Sequence, residues 1–145
     1  MNCLKINPKH PHALNNLLYL AQVANKNQQF AEAVTDYKIL IQYKPDVADN
    51  YYGLGVAFRG ISQFDSAIVC LNKALHLKPD YVDAMSKLGE IYGQNLGRID
   101  AAEDCFLQAI EVKPNDESSL ENLGIVYGIK TVSYTHLTLP TKRIV

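Results

Sequence analysis

Cysteine and histidine are the side chains here from which a metal site or an activated nucleophile could be built, so their spacing is read first. The cysteines, Cys3, Cys70 and Cys105, are odd in number and far apart, which leaves no disulfide framework and no Cys-x-x-Cys metal knuckle. Cys70 and Cys105 stand 35 residues apart, one length of an internal repeat, and read as one structural slot used twice. His10 and His12 flank Pro11 and invite comparison with a pair of metal ligands. No cysteine or carboxylate lies near them to complete a coordination shell, so a solvated turn is the expected setting. No nucleophile has a base beside it. The expectation is a chain with no catalytic residue, no metal and no cofactor, hence no enzyme in itself.

The remaining composition narrows the class. The chain has 145 residues, with 14 Lys and Arg against 15 Asp and Glu, and a formal net charge of −1. About half of it is apolar and a fifth is charged, as in a folded protein. This balance lacks the broad basic face used to bind nucleic acid or anionic membrane, and neither is expected as a partner. No apolar run approaches the roughly 20 residues of a membrane span. The start, MNCLKINPKHPH, lacks the apolar stretch of a signal peptide. Unpaired cysteines lean towards a reducing, cytoplasmic setting.

What positions these residues is a repeat. Pro11, Pro45, Pro79 and Pro114 are spaced by 34, 34 and 35 residues, and the last three each follow a lysine. Ahead of them run QQFAEAVTDYKILIQYKP, SQFDSAIVCLNKALHLKP and GRIDAAEDCFLQAIEVKP, with Ala33, Ala67 and Ala102 in register. Within a unit the apolar period is helical: Tyr51, Leu54, Gly55 and Phe58 form one stripe, and Ala67, Leu71, Ala74 and Leu75 a second. Each unit is therefore a helix, a short turn and an antiparallel partner helix. Gly55 and Ala67 allow close approach, while Tyr51, Phe58 and Leu71 fill the surrounding space. Proline ends the second helix, having no N–H and excluding helical geometry for the residue before it.

The pattern resembles the tetratricopeptide repeat (TPR) family, whose signature runs aromatic-x2-Leu-Gly-x2-Tyr, Ala-x3-Phe and then Pro. Tyr51, Leu54, Gly55, Phe58, Ala67, Leu71 and Pro79 fill these slots once; Met85, Leu88, Gly89, Tyr92, Ala102, Phe106 and Pro114 fill them again. Leu17, Leu20, Ala21, Ala24, Ala33, Tyr37 and Pro45 form a weaker first copy, and Leu120, Leu123, Gly124 and Tyr127 begin a fourth. The resemblance implies an all-α fold, a right-handed superhelical α-solenoid of antiparallel helix pairs with about three repeats and a partial fourth. The expected division is 1–10 as the end of a preceding repeat helix, repeats at 11–44, 45–78 and 79–113, and a partial repeat at 114–130.

Two departures carry expectations. The third repeat has one extra residue, assigned to its inter-helix turn around QNLGR, where Gly93 and Gly97 absorb it. From Val132 the repeat pattern stops, and VSYTHLTLPTKRIV has the Thr, Tyr, Val and Leu of a strand rather than a helix. This stretch resembles the translation of a transposon-type sequencing adapter, which would make residues 131–145 a non-native tail. An array open at both ends is expected to leave Ile125, Val126 and Ile129 partly exposed and to self-associate through its uncapped ends.

Stacked pairs present mainly their first helices to a concave groove, and the family resemblance implies that this groove binds an extended peptide or helix of a partner protein. The outward residues expected there are Asn15, Gln22, Asp49, Tyr52, Arg59, Asp83, Lys87, Glu90, Glu121 and Asn122. Tyr52 is the leading contact candidate, whereas Tyr19, Tyr92 and Tyr127 are expected in the core. Chaperone-binding members of the family grip a C-terminal carboxylate with lysines, asparagines and arginine. The matching positions here hold Leu18, Gln22, Gly53, Asp83 and Lys87, so only Lys87 keeps a suitable charge. The array of O-linked N-acetylglucosamine transferases uses a row of asparagines; here Asn122 fits that row, as does Asn16 in an alternative register, and Gly53 and Lys87 interrupt it. The expected function is a non-enzymatic interaction scaffold. The alternative is a substrate-recognition segment of a larger enzyme, such as a glycosyltransferase of that kind, and a third reading is a structural assembly role through stacked ends.

Overall fold

The computed structural model describes residues 10–138. The end of a preceding repeat helix expected at 1–10 therefore lies almost wholly outside the described residues, as does the tail beyond Thr138. Among the described residues the ordered structure is helical: α1 (Pro11–Lys26), α2 (Phe30–Tyr43), α3 (Ala48–Gly60), α4 (Phe64–Leu77), α5 (Val82–Glu90), α6 (Ile99–Val112) and α7 (Glu117–Thr138). A π-helical turn, Ile91–Asn95, continues α5. None of these helices is long and apolar enough to cross a membrane. The chain divides into two compact units between Ala84 and Met85, inside α5.

In the first unit α1 packs on α2, α2 on α3 and α3 on α4. The apolar stripes close the contacts: Leu14, Leu17, Ala21 and Ala24 of α1, Ala33, Val34, Tyr37 and Leu40 of α2, and Leu54, Ala57 and Phe58 of α3 are buried, as are Ala67, Leu71 and Ala74 of α4. Gly55 sets the spacing of α3 and α4. A Cβ there would lie 2.8 Å from Leu71 Cγ and 3.3 Å from the Ala67 carbonyl oxygen, inside normal contact.

The second helix of each pair ends as the sequence predicts. Tyr43, Leu77 and Val112 are the last helical residues. Lys44, Lys78 and Lys113 then take nearly one conformation, with φ of −134°, −137° and −134°. That extended geometry is what the following proline ring imposes.

In the second unit α6 packs on α7 and on the π-turn. Ala102, Phe106, Leu123 and Val126 form the core, with Tyr92, Ile99 and Ile110 packed against it. Asp116 starts α7. Its Oδ2 accepts hydrogen bonds from the Ser119 backbone N–H (3.1 Å) and from Ser119 Oγ (2.6 Å). Ser86 Oγ reaches Ser119 Oγ at 2.5 Å, so a buried polar chain ties α5 to the start of α7. Lys130 pairs with Asp100 (2.7 Å) and with Glu103, fastening α7 to α6.

Four expectations need correction. The extra residue of the third repeat is taken up before the turn, not in it. Asn27 N–H bonds to Val23 O and Ile61 N–H to Ala57 O, four residues back, whereas Leu96 N–H bonds to Ile91 O, five back. The turn itself is unchanged: Gln28, Ser62 and Gly97 share φ of 62°, 62° and 66°. Second, residues 132–138 continue α7 instead of forming a strand. Propensity is a weak prior, and extending an existing helix costs far less than starting one. Thr131 and Thr135 donate their hydroxyls to Tyr127 O and Thr131 O, each at 2.8 Å, so both hydroxyls are satisfied within the helix. Third, Tyr19 and Tyr127 are exposed at 66% and 46%; only Tyr92 packs against a core. The side chain of Tyr19 falls on the outer side of α1, away from the Leu14–Leu17–Ala21 stripe. Fourth, Val126 is buried in the core with Ala102 and Phe106, whereas Ile125 and Ile129 are partly exposed as expected.

Candidate functional site

The first helices of the pairs carry the predicted groove residues. Asn15 and Gln22 lie on α1, Asp49, Tyr52 and Arg59 on α3, Asp83, Lys87 and Glu90 on α5, and Glu121 and Asn122 on α7. None is buried: Asn15, Gln22, Asp49, Asp83 and Glu121 are exposed, and the other five are half-buried.

Gln22, Asp49 and Tyr52 come together. They line a concavity of about 420 Å³ in the first unit, with Asn25, Tyr37, Gly53, Val56 and Tyr81. Two helices fix most of this wall. On α1, Gln22 and Asn25 are three residues apart and share a face; on α3, Asp49, Tyr52, Gly53 and Val56 follow the same spacing. Tyr81 arrives from the turn that Pro79 initiates, and its ring centroid lies 5.1 Å from that of Tyr52 with 37° between the planes. Such tilted pairs are favourable because the positive ring edge meets the negative face.

Tyr37 enters from behind. It belongs to the second helix of its pair and is buried at 3% exposure. Its ring occupies the space that a side chain at Gly53 would need. The position that carries a groove side chain in the compared families is thus filled here by a tyrosine from α2. Asn25 Nδ2 donates to the Gly53 carbonyl oxygen at 2.9 Å, which fixes the orientation of the amide. Its Oδ1 is then buried without a hydrogen-bond partner, and a buried acceptor left unpaired is costly.

The electrostatics of this wall are one-sided. The lining contains one carboxylate and no lysine, arginine or histidine. Burial pushes the Tyr37 hydroxyl above its ordinary pKa, with the Asn25 hydrogen bond partly offsetting this and Asp36 and Asp49 adding to it. Burial likewise holds Tyr81 protonated, reinforced by its hydrogen bond to Asp49. Lys78 Nζ lies 4.6 Å from the Tyr81 ring centroid, a cation drawn to the same aromatic surface.

The second unit has a smaller, mostly apolar cleft of about 110 Å³. Glu90 and Asn122 line it beside Ile125, Val126, Ile129 and Phe106. Lys87, the single clamp-like cation, pairs with Glu90 at 2.8 Å. Asn15, Arg59, Asp83, Lys87 and Glu121 line neither concavity.

The cysteines take the structural slot that their spacing suggested. Cys70 is buried and Cys105 half-buried; both thiols are free, and burial raises each pKa to about 11. His10 and His12 are exposed at the start of α1, and no group of three metal-ligating side chains occurs among the described residues.

Asn25, Tyr37 and Tyr81 were not read as groove residues from the sequence. The available signal was the pairing of a glycine at a groove position with a tyrosine in an aromatic core slot, whose hydroxyl can then reach through.

Residues 16–46 and 82–116 each match the sequence pattern described as tetratricopeptide repeat, and residues 61–95 match that described as TPR repeat. No curated protein sequence matches the chain. Among solved structures, MamA is similar with a TM-score of 0.77 and 26% identity, over 96% of this chain and 84% of that one. The first TPR of Spaghetti (RPAP3), bound to the HSP90 peptide SRMEEVD, is similar with a TM-score of 0.75 and 19% identity, over 81% and 93%. The second TPR domain of human RPAP3, in complex with the HSP70 peptide SGPTIEEVD, gives 0.73 and 18%, over 81% and 98%. With helix pairs, close-packed glycines and terminating prolines recurring at this period, the chain belongs to the tetratricopeptide repeat family and has its all-α helical-repeat solenoid fold.

Proposed function

We propose that this chain is a protein-interaction scaffold and that it binds an extended segment of a partner through the concavity between α1 and α3. The observation that carries this is the site itself: outward faces of two successive first helices, an aromatic pair and a carboxylate surround about 420 Å³ of open space. That volume suits one or two side chains of a peptide, and polar groups set among aromatic walls give such a site its specificity. Two RPAP3 domains of the same fold were solved with peptides bound, which supports peptide binding as the mode.

The peptide chemistry differs from theirs. Both of their peptides end in EEVD. Here the clamp-like positions hold Leu18, Gln22, Gly53 and Asp83, and Lys87 is paired with Glu90. A pair of carboxylates would find no free fork of donors. The row of asparagines expected for an enzyme-borne recognition segment is interrupted at Gly53, where the Tyr37 ring stands, and at Lys87. The scaffold reading is therefore the better supported.

A selection from a random peptide library against the full chain tests it. Enriched peptides should shift backbone NMR signals around Gln22, Asp49 and Tyr52. Tyr52→Ala should weaken them by about tenfold or more, the loss typical of an aromatic anchor. Absence of any enriched binder, or binding indifferent to Tyr52→Ala, would remove the reading.

A further inference from the structure

We infer that the concavity between α1 and α3 recognises a basic side chain of the partner, arginine in preference to lysine. This rests on the groove-binding reading above and adds the chemistry of the ligand.

Charge complementarity is the first reason. Asp49 is the one charged group among the lining residues, and it stands exposed at the first turn of α3. The Tyr81 hydroxyl donates to this carboxylate, which leaves further lone pairs on its two oxygens for an incoming donor. Asn25 lines the same concavity, its Oδ1 buried without a donor. The lining thus offers the Asp49 carboxylate and holds no cation of its own.

The aromatic pair is the second reason. Tyr52 and Tyr81 present adjoining ring surfaces within the concavity. A cation over such a face is attracted by the ring quadrupole, and Lys78 already occupies that relation to Tyr81. A guanidinium can lie flat against a ring while its edge pairs with a carboxylate, a combination that a compact ammonium cannot make. This decides for arginine over lysine. An acidic peptide end would meet Asp49 with like charge.

The test uses the full chain and four capped pentapeptides, identical except for a central arginine, lysine, norleucine or glutamate. The arginine peptide should shift the amide signals of Asn25, Asp49, Tyr52 and Tyr81. It should bind about threefold or more tighter than the norleucine peptide, the scale of an exposed cation–π contact with a partner charge. The glutamate peptide should be the weakest. Asp49→Asn should bring arginine down to the norleucine level, while Asp65→Asn, outside the concavity on α4, should not. Tyr52→Leu supplies a second variant with the same expectation, and circular dichroism establishes that each variant remains helical.

Equal binding of the norleucine or glutamate peptide at these residues would overturn the inference, as would arginine binding untouched by Asp49→Asn and Tyr52→Leu. The library selection separates the two levels. Enriched peptides that occupy the concavity without a basic residue overturn this inference and leave the scaffold reading intact. Failure of both the library and the pentapeptides overturns the two together.

Discussion

Gly53 illustrates how one missing side chain creates a site. In a helix interior glycine costs about 1 kcal/mol relative to alanine, yet here the Tyr37 ring takes the vacated space and brings its hydroxyl to the groove wall. Gly53→Ala should therefore destabilise by about 2 kcal/mol despite its better helix propensity, since overpacking outweighs the gain. Truncating the ring with Tyr37→Leu should shrink that cost, giving a coupling above about 0.5 kcal/mol in a urea-unfolding double-mutant cycle. Additive losses would show that the two positions do not compete for space. Asp116 supplies a pH-dependent counterpart. Its hydrogen bonds from Ser119, with Lys113 alongside, hold its carboxyl below the ordinary range against the opposing effect of burial. The unfolded carboxylate therefore takes up its proton first as pH falls. The stability that Asp116 contributes is present above the unfolded value of about 4 and drains away as pH drops through the lower folded value. Asp116→Ala should cost about 1 kcal/mol at neutral pH, with a gap that narrows below pH 4. A gap constant across that range would mean the capping charge is irrelevant.

The turns between paired helices show what repetition fixes and what it hides. Gln28 and Ser62 hold the left-handed conformation that Gly97 takes in the third repeat. For an L-residue this conformation costs about 1 kcal/mol or more, and glycine escapes it. Ser62→Gly should raise stability by about 0.5–1 kcal/mol, and Gly97→Ala should lower it by about 1 kcal/mol. A Cβ at Gly97 meets nothing within 4 Å, so the loss reports backbone strain alone. Thermal unfolding of both variants is the check; opposite signs would refute the argument. The helix pairs themselves were legible because apolar stripes, small residues and prolines recur together at one period, and each has a separate physical cause. The position of the inserted residue was not, since QNLGR looks like a lengthened turn and only hydrogen-bond register distinguishes that from a widened helical turn. The helix beyond Val132 was hidden for another reason. Its residue types favour strands on average, but an established helix can carry such residues forward, because extension costs far less than nucleation.

The lining of the concavity was half legible. Gln22, Asp49 and Tyr52 follow from counting around first helices, because outward positions depend on helical period alone. Asn25, Tyr37 and Tyr81 depend on how helices, a turn and a glycine meet, which no single helix specifies. The last helix raises a different matter of surface. Along α7, Leu120, Ile125, Tyr127 and Ile129 are each exposed by more than 40%, while Leu123 and Val126 are buried against α6. So much apolar surface on one helix favours association. Sedimentation velocity should show a rising average mass with concentration, and the double substitution Ile125→Lys with Ile129→Lys, on one helical face, should return the chain to a monomer without loss of helicity. A monomer at all concentrations would set that expectation aside.

The widened turn at Ile91–Asn95 has a consequence for how such chains diversify. Because the added residue is absorbed before Leu96, the connection at Gly97 keeps the conformation it has in the 34-residue copies. Units of 34 and 35 residues thus share one inter-helix connection, and the added residue is confined to the helix that precedes it. Length can therefore change inside a helix while the connector that follows it stays constant.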